Sequence, residues 1–376
     1  MLPRHVYVHV PFCARRCAYC DFAIAVRSRV PVDEYLGALE RELTLRLGEA
    51  PPPADRAAID TLYLGGGTPS RLGPDGVARA IALLGRWFAP VPGAEVTLEA
   101  NPDDVSVDAV RAWRAAGIHR LSLGGQTFDA AALAWMHRTH DVAQIHRAVD
   151  AARAGGIADL SLDLIFALPP HLTRDWRADV AQALELAPTH LSLYGLTVEP
   201  GTPLGRWAER GTVGEADEER YAEEFLHAHE ALVGAGYEHY EVSNFARPGF
   251  QARHNSAYWR GVPYLGLGPS AHGFDGRVRR WNVPAYAEWV RRTAAGDDPL
   301  DGSEFLDGAS VEAEAVYLGL RTRDGLVLTS PAERSRAARW VEAGWGALTG
   351  DTLRLTAAGW LRLDALAADL TAIRSR

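Results

Sequence analysis

The chain contains three cysteines, Cys13, Cys17 and Cys20, and all of them fall within eight residues. Their spacing is C-x3-C-x2-C, directly after an apolar stretch, Val6 to Val10. Thiolates are the ligands that iron–sulfur clusters use. A cubane has four irons, so three thiolates leave one iron open to another ligand. The chemistry to expect is a [4Fe-4S] cluster with an exchangeable site. Zinc is the rival, with His9 as a fourth ligand, but zinc ribbons need two ligand pairs and no second pair exists. Arg15 and Arg16 would offset a cluster's negative charge, as they would equally serve a solvated loop.

Other residues stand where they could serve such a site. Gly65, Gly66 and Gly67 precede Thr68 after a second apolar stretch. Glycines let backbone approach a ligand closely. Glu99 closes a third stretch, and Gln126 follows a fourth. Asp163 interrupts the apolar run Leu160 to Ile165. A buried carboxylate needs a partner or a ligand. Arg138 is one such partner, in a structural pair or beside a ligand.

These residues need elements that bring them together. Short apolar strands are expected at Val6–Val10, Thr61–Leu64, Glu95–Leu98, Arg120–Leu123, Leu160–Ile165 and His190–Tyr194. Amphipathic helices fall between them. Val32–Leu47, with Tyr35, Leu36, Leu39, Leu43 and Leu47 at helical spacing, is the clearest. Strand–helix alternation predicts a parallel sheet. Six units make a partial (β/α)6 barrel, an open relative of the eight-unit barrel, whose chemistry sits at the C-terminal strand ends. The alternation covers residues 1–205. A helix near Glu215–Val233 and an aromatic, Gly-rich stretch, Tyr237 to Phe274, fall in a second region, 206–304. Residues 305–376 read as a small α+β module in the style of a winged helix.

The remaining composition narrows the function. The formal net charge is −9, so a dominant phosphate-binding surface and a nucleic acid partner are not expected. All 39 Lys and Arg residues are Arg, which removes Schiff-base and Walker-type lysine chemistry. Clustered cysteines, the lack of a signal-peptide core and the lack of a long apolar window lead to the expectation of a cytoplasmic, reducing compartment.

C-x3-C-x2-C near the start of a strand–helix chain resembles the radical SAM superfamily. That resemblance implies S-adenosyl-L-methionine chelating the open iron. The texts YVHVPFCARRCAYCDF, YLGGGTPS, LEANPDD, LSLGGQTFD and LSLYGLTVEPGTPL resemble the oxygen-independent coproporphyrinogen III dehydrogenase family. His254-Asn255-Ser256-Ala257-Tyr258-Trp259, of the form H-N-x-x-Y-W, resembles that family's heme chaperone branch. Carried over by position, Tyr7, Gly66 and Glu99 would touch the cluster-bound S-adenosylmethionine. Tyr19, Gly67, Thr68, Gln126, Arg138 and Asp163 match positions that hold a second such molecule in the dehydrogenase. Phe22 stands where the dehydrogenase has a fourth cysteine, and only six residues precede Tyr7, where it carries a longer segment. Both departures favour the chaperone branch over porphyrinogen decarboxylation; another radical reaction on an unknown substrate stays open.

The branch implies heme as cargo and an acceptor protein, with a membrane-borne acceptor among the options; monomer and dimer stay open. With the cysteines in a cluster and only Met1 and Met136 present, histidine is the expected iron ligand. His254 is the first choice, with His9 and His272 as alternatives. In the other reading, His254, Asn255 and Trp259 pin a loop against the barrel mouth. Phe245, Phe250, Tyr258, Trp259 and Tyr264 could cover the macrocycle, and Arg247, Arg253 and Arg260 could meet its propionates.

Overall fold

The computed structural model describes residues 3–375. Six strands, β1 (His5–Val10), β2 (Ala57–Gly66), β3 (Phe88–Ala100), β4 (Arg120–Gln126), β5 (Asp159–Phe166) and β6 (His190–Gly195), pair in chain order, all parallel. Between them run α1 (Val32–Leu47), α2 (Gly73–Leu84), α3 (Val107–Ala116), α4 (Val142–Ala154) and α5 (Trp176–Glu185). The helices begin where the sequence supplies caps. Ser106 caps α3, Asp175 caps α5, and Asp141 forms a reciprocal box with Gln144 on α4.

Alternation explains why this sheet curls around a polar interior. On β1, Val6, Val8 and Val10 belong to the helix-side core, leaving Tyr7 and His9 on the other face. On β5, Leu160, Leu162 and Leu164 pack outward and leave Ser161 and Asp163 inward. The inner face is thus lined with hydroxyls, imidazoles and carboxylates, and the site draws on it.

The region after residue 205 joins the same sheet. Helix α6 (Glu218–Gly234) leads to β7 (Glu238–Glu241) and β8 (Asn244–Ala246), which extend the sheet antiparallel beyond β6. Helix α7 (Arg253–Trp259) follows, and β9 (Leu265–Leu267) pairs parallel with β1. The sheet order is β9-β1-β2-β3-β4-β5-β6-β8-β7. The aromatic, Gly-rich stretch therefore contributes three strands to this sheet. Each has only three or four residues, too few for a period of two to show.

Glu42 on α1 locks this later region to the barrel. Its fully buried carboxylate accepts from Gly268 N at 2.8 Å, Asn282 Nδ2 at 2.7 Å, Trp289 Nε1 at 2.8 Å and Arg46 Nη1 at 3.1 Å. A second antiparallel sheet spans His272–Phe274, Val278–Asn282 and Leu300–Phe305. The C-terminal module runs helix (Gly308–Arg321), strand (Leu326–Val327), helix (Pro331–Glu342), hairpin (Gly346–Thr349 with Thr352–Leu355) and helix (Leu363–Arg374). It packs on the sheet edge through Trp360, whose ring lies 4.4 Å from His239. Among the described residues no helix is long and apolar enough to cross a membrane.

Candidate functional site

The cysteine loop leaves the C-terminal end of β1. Phe12–Cys13 pairs with Ala25–Val26, which closes the loop on itself. Its middle is tied down by Ala18 N donating to Met136 O at 3.0 Å and Leu204 N donating to Ala18 O at 2.8 Å. All three thiols are half-buried and line one cavity of 370 Å³. Cys13 Sγ lies 3.5 Å from Thr68 Oγ1, and Cys17 Sγ accepts from Arg138 Nη1 at 3.3 Å. Burial pushes the Cys13 and Cys20 thiols up, Cys20 to about 11. Bound iron offsets such a cost by displacing the protons. Among the described residues no three His, Cys, Asp or Glu side chains converge tightly enough for a single metal ion. Three thiols spread around a cavity fit a group as large as a cubane, whose irons sit at its corners.

Gly66 and Gly67 let β2 pass under the start of this loop. Gly66 has φ +113°, and a Cβ there would lie 2.6 Å from the His9 ring. One on Gly67 would lie 2.7 Å from the Pro11 carbonyl. His9 has both nitrogens engaged: Nε2 donates to Ala23 O at 3.0 Å, and Nδ1 accepts from Tyr7 OH at 3.1 Å. Burial drives its pKa down to about 4, so it is neutral. This arrangement removes His9 as a fourth zinc ligand and as a heme ligand. Tyr7 is not among the residues that line the cavity, and its ring lies 6.1 Å from Tyr63.

Of the carboxylates on the cavity wall, Glu99 and Asp163 rise from the strand ends, and neither makes an ion pair among the described residues. Glu99 accepts from Tyr63 OH at 2.8 Å and Gly66 N at 3.0 Å. Burial raises it to about 7, with nearby Asp163 adding to the shift. Asp163 accepts from Ser122 Oγ at 3.1 Å and Ser161 Oγ at 3.2 Å, and burial raises it as well. The expected Asp163–Arg138 pair is corrected. Arg138 reaches Cys17, Asn101 Oδ1 at 2.7 Å and Gly124 O at 2.9 Å instead. It follows a left-handed turn at His137 (φ 61°), which sets its side chain over the ends of β3 and β4.

Gln126 also lies on the cavity wall, with φ 69° where the β4–β5 register slips. Asp179 holds the bulge from behind, accepting from Thr127 Oγ1 at 2.7 Å and Phe128 N at 2.8 Å. Arg174 bridges Asp179 to Glu224 on α6. Tyr19 lines the cavity and packs against the Met136–Ile165 cluster. Cys13, Cys17, Cys20, Tyr19, Gly66, Gly67, Thr68, Glu99, Gln126, Arg138 and Asp163 therefore share one cavity. Sequence reading missed Asn101, Ser122 and His137 on its wall. Ser122 was legible in principle, since it alternates with the apolar Leu121 and Leu123.

His254 is elsewhere. The N-terminus of α7 is held by Glu95, which accepts from Arg253 N at 2.8 Å and His254 N at 3.0 Å. The His254 ring is 1% exposed and lies 5.1 Å from Tyr63. Nδ1 pairs with Thr61 Oγ1 and Nε2 with Tyr258 OH, both at 2.7 Å. Burial drives its pKa to about 3. Thr61 lies halfway along β2, so His254 fills the lower part of the barrel interior rather than the mouth. Its assignment as an iron ligand is corrected: no ring nitrogen is left to bind one.

The other expected heme contacts are dispersed as well. Phe245 is buried 3.8 Å from the His239 ring. Arg247 sits over Tyr237, Arg253 donates to Gly93 O, and Arg260 lies 3.7 Å from Asp324. Tyr258, Trp259 and Tyr264 line a separate cavity of 530 Å³. His272 is exposed and stacks on Trp281, outside the cluster cavity.

Comparison with known proteins supplies the family. The Radical SAM superfamily model matches residues 7–184. The heme chaperone HemW of Mycobacterium tuberculosis (strain ATCC 25618 / H37Rv) is 38% identical over 369 residues, covering 97% of this chain and 94% of that protein. The heme chaperone HemW of Escherichia coli (strain K12) is 37% identical over 320 residues, covering 80% and 81%. Among solved structures, coproporphyrinogen III oxidase (HemN) from Escherichia coli, a radical SAM enzyme, superposes with a TM-score of 0.79 at 24% identity, covering 98% of this chain and 89% of that one. With the fold shared and the identity spanning nearly its whole length, the chain belongs to the HemW heme chaperone family within the radical SAM superfamily.

Proposed function

We propose that this chain binds heme and passes it to an acceptor protein, and that it carries a [4Fe-4S] cluster on Cys13, Cys17 and Cys20 with S-adenosylmethionine beside it. The observation that carries the cofactor reading is the cavity itself. Three thiols share it with Glu99 and Asp163, two carboxylates that make no ion pair among the described residues. A sulfonium ligand with an ammonium and ribose hydroxyls is the complement of such a wall. When bound, the cluster and its ligand supply one-electron chemistry. The chain's own residues hold and orient. Glu99, fixed by Tyr63 and Gly66, presents a carboxylate to an ammonium, and Asp163, fixed by Ser122 and Ser161, accepts from hydroxyls. Arg138 donates to the Cys17 sulfur and tempers its charge.

The chaperone reading is supported by the names of the relatives and by Phe22, which is exposed where the dehydrogenase family carries a fourth cysteine. The test is an anaerobic heme titration of the cluster-loaded protein, read by the Soret band, with protoporphyrinogen formation assayed in parallel. Saturable binding near one heme per chain without turnover supports the chaperone. Turnover of coproporphyrinogen III would replace that reading with the enzyme.

A further inference from the structure

Four aromatic rings form a row beside the mouth of the cluster cavity. His137 lies 5.7 Å from Trp207, Trp207 5.8 Å from Trp135, and Trp135 5.6 Å from His171, centroid to centroid. They come from three segments: the Ala130–Trp135 helix and its following turn, the loop after β5, and the Pro203–Glu209 helix. His171 is exposed and the other three are half-buried. Among the described residues none of the four rings is hydrogen-bonded to a group on the cavity wall.

His137 differs from the other histidines near the barrel interior. It is the one histidine on the cavity wall. His9, His190 and His254 each have both ring nitrogens engaged and His5 and His140 have one, whereas the His137 ring has no hydrogen-bond partner among the described residues. It also holds φ 61°, a conformation that side-chain-bearing residues rarely adopt. Met136 is fully buried, and Met1 lies outside the described residues. Arg15 lines the same cavity, is exposed, and makes no ion pair among the described residues.

These features match the parts of an iron porphyrin. Heme iron takes an imidazole nitrogen. The macrocycle takes apolar, flat walls, which indole rings offer. Propionates take guanidinium groups. We infer that heme docks on this ledge across the cavity mouth, with His137 ligating iron, the macrocycle against Trp207 and Trp135, and a propionate toward Arg15. The inference rests on the heme-chaperone reading and gives it a site. An open ledge, rather than a closed pocket, also suits a cargo that must leave.

The test uses the full chain with its cluster reconstituted, titrated anaerobically with heme. The variants are His137→Gly, whose left-handed backbone glycine accepts without strain, Trp207→Ala, and His171→Ala. His137→Gly is expected to keep the cluster absorbance, lose the histidine-ligated Soret and EPR signature, and weaken binding about tenfold or more. Added imidazole should restore the ligated spectrum, an effect that a merely structural role would not produce. Trp207→Ala should weaken binding with the ligation signature intact. His137→Gly with wild-type affinity and spectrum would overturn the assignment while leaving the chaperone reading in place, as would loss of ligation in His171→Ala alone. A wild-type chain that binds no heme would overturn both.

Discussion

Replacing His254 with alanine separates a structural histidine from an iron ligand. The ring is buried, with Thr61 and Tyr258 hydroxyls on its two nitrogens at 2.7 Å. His254→Ala removes two hydrogen bonds, each contributing about 1 kcal/mol net. It leaves both hydroxyls buried without that partner and opens a space between α7 and Tyr63 that the surrounding strands fill only in part. Together these effects amount to about 3–5 kcal/mol, a large share of the ~5–15 kcal/mol that holds a folded domain. Anaerobic urea unfolding followed by circular dichroism should show the midpoint falling by that equivalent, with the slope unchanged. Heme bound per folded molecule should stay the same. The reasoning fails if the variant loses less than about 1 kcal/mol yet loses its Soret band, because that pattern belongs to an accessible ligand.

Four further outcomes follow from the geometry. Glu99 has a folded pKa of about 7 against 4.5 for an unperturbed carboxyl, so the ligand-free protein should be most stable below about pH 4.5 with respect to this group and lose up to about 3 kcal/mol as pH rises to 7. Glu99→Gln should flatten that slope in unfolding curves collected between these pH values. Arg138→Gln keeps side-chain bulk but removes the charge beside the Cys17 sulfur, and cluster retention against a chelator should fall about 10–100-fold. Glu42→Ala leaves Asn282, Trp289 and Arg46 without their shared acceptor and should cost about 3–5 kcal/mol in chemical unfolding. Cys17→Ser should abolish the brown absorbance and the bound iron and sulfide; a full cluster in that variant would refute the assignment of the loop.

The six barrel strands and the helix Val32–Leu47 were legible because each carries enough alternation or 3.6-residue repetition to be read alone. Strands of three residues carry no such signal; Leu265–Leu267 is defined by a partner 259 positions away. The cavity residues were legible by type and by place at strand ends. Their pairing was not, because pairing depends on where side chains point. Arg138 and Asp163 look complementary in sequence, yet a turn at His137 sends the arginine to Cys17. His254 sits in a motif that invites a metal, and only the register of α7 against β2 shows that its nitrogens are already engaged.

The pairing of β9 with β1 also sets the order of events during synthesis. The strand that launches the cysteine loop lies between β2 and β9, and Gly268, just past β9, packs directly on the His9 backbone. Ribosomes add about 5–20 residues each second, so on the order of ten to fifty seconds separate the emergence of Val10 from that of Leu265. Throughout that interval the nascent chain exposes its three thiols on a strand with one neighbour missing. A cluster carried on these thiols, as proposed above, would meet a loop braced on both sides only once Leu265–Leu267 has joined β1.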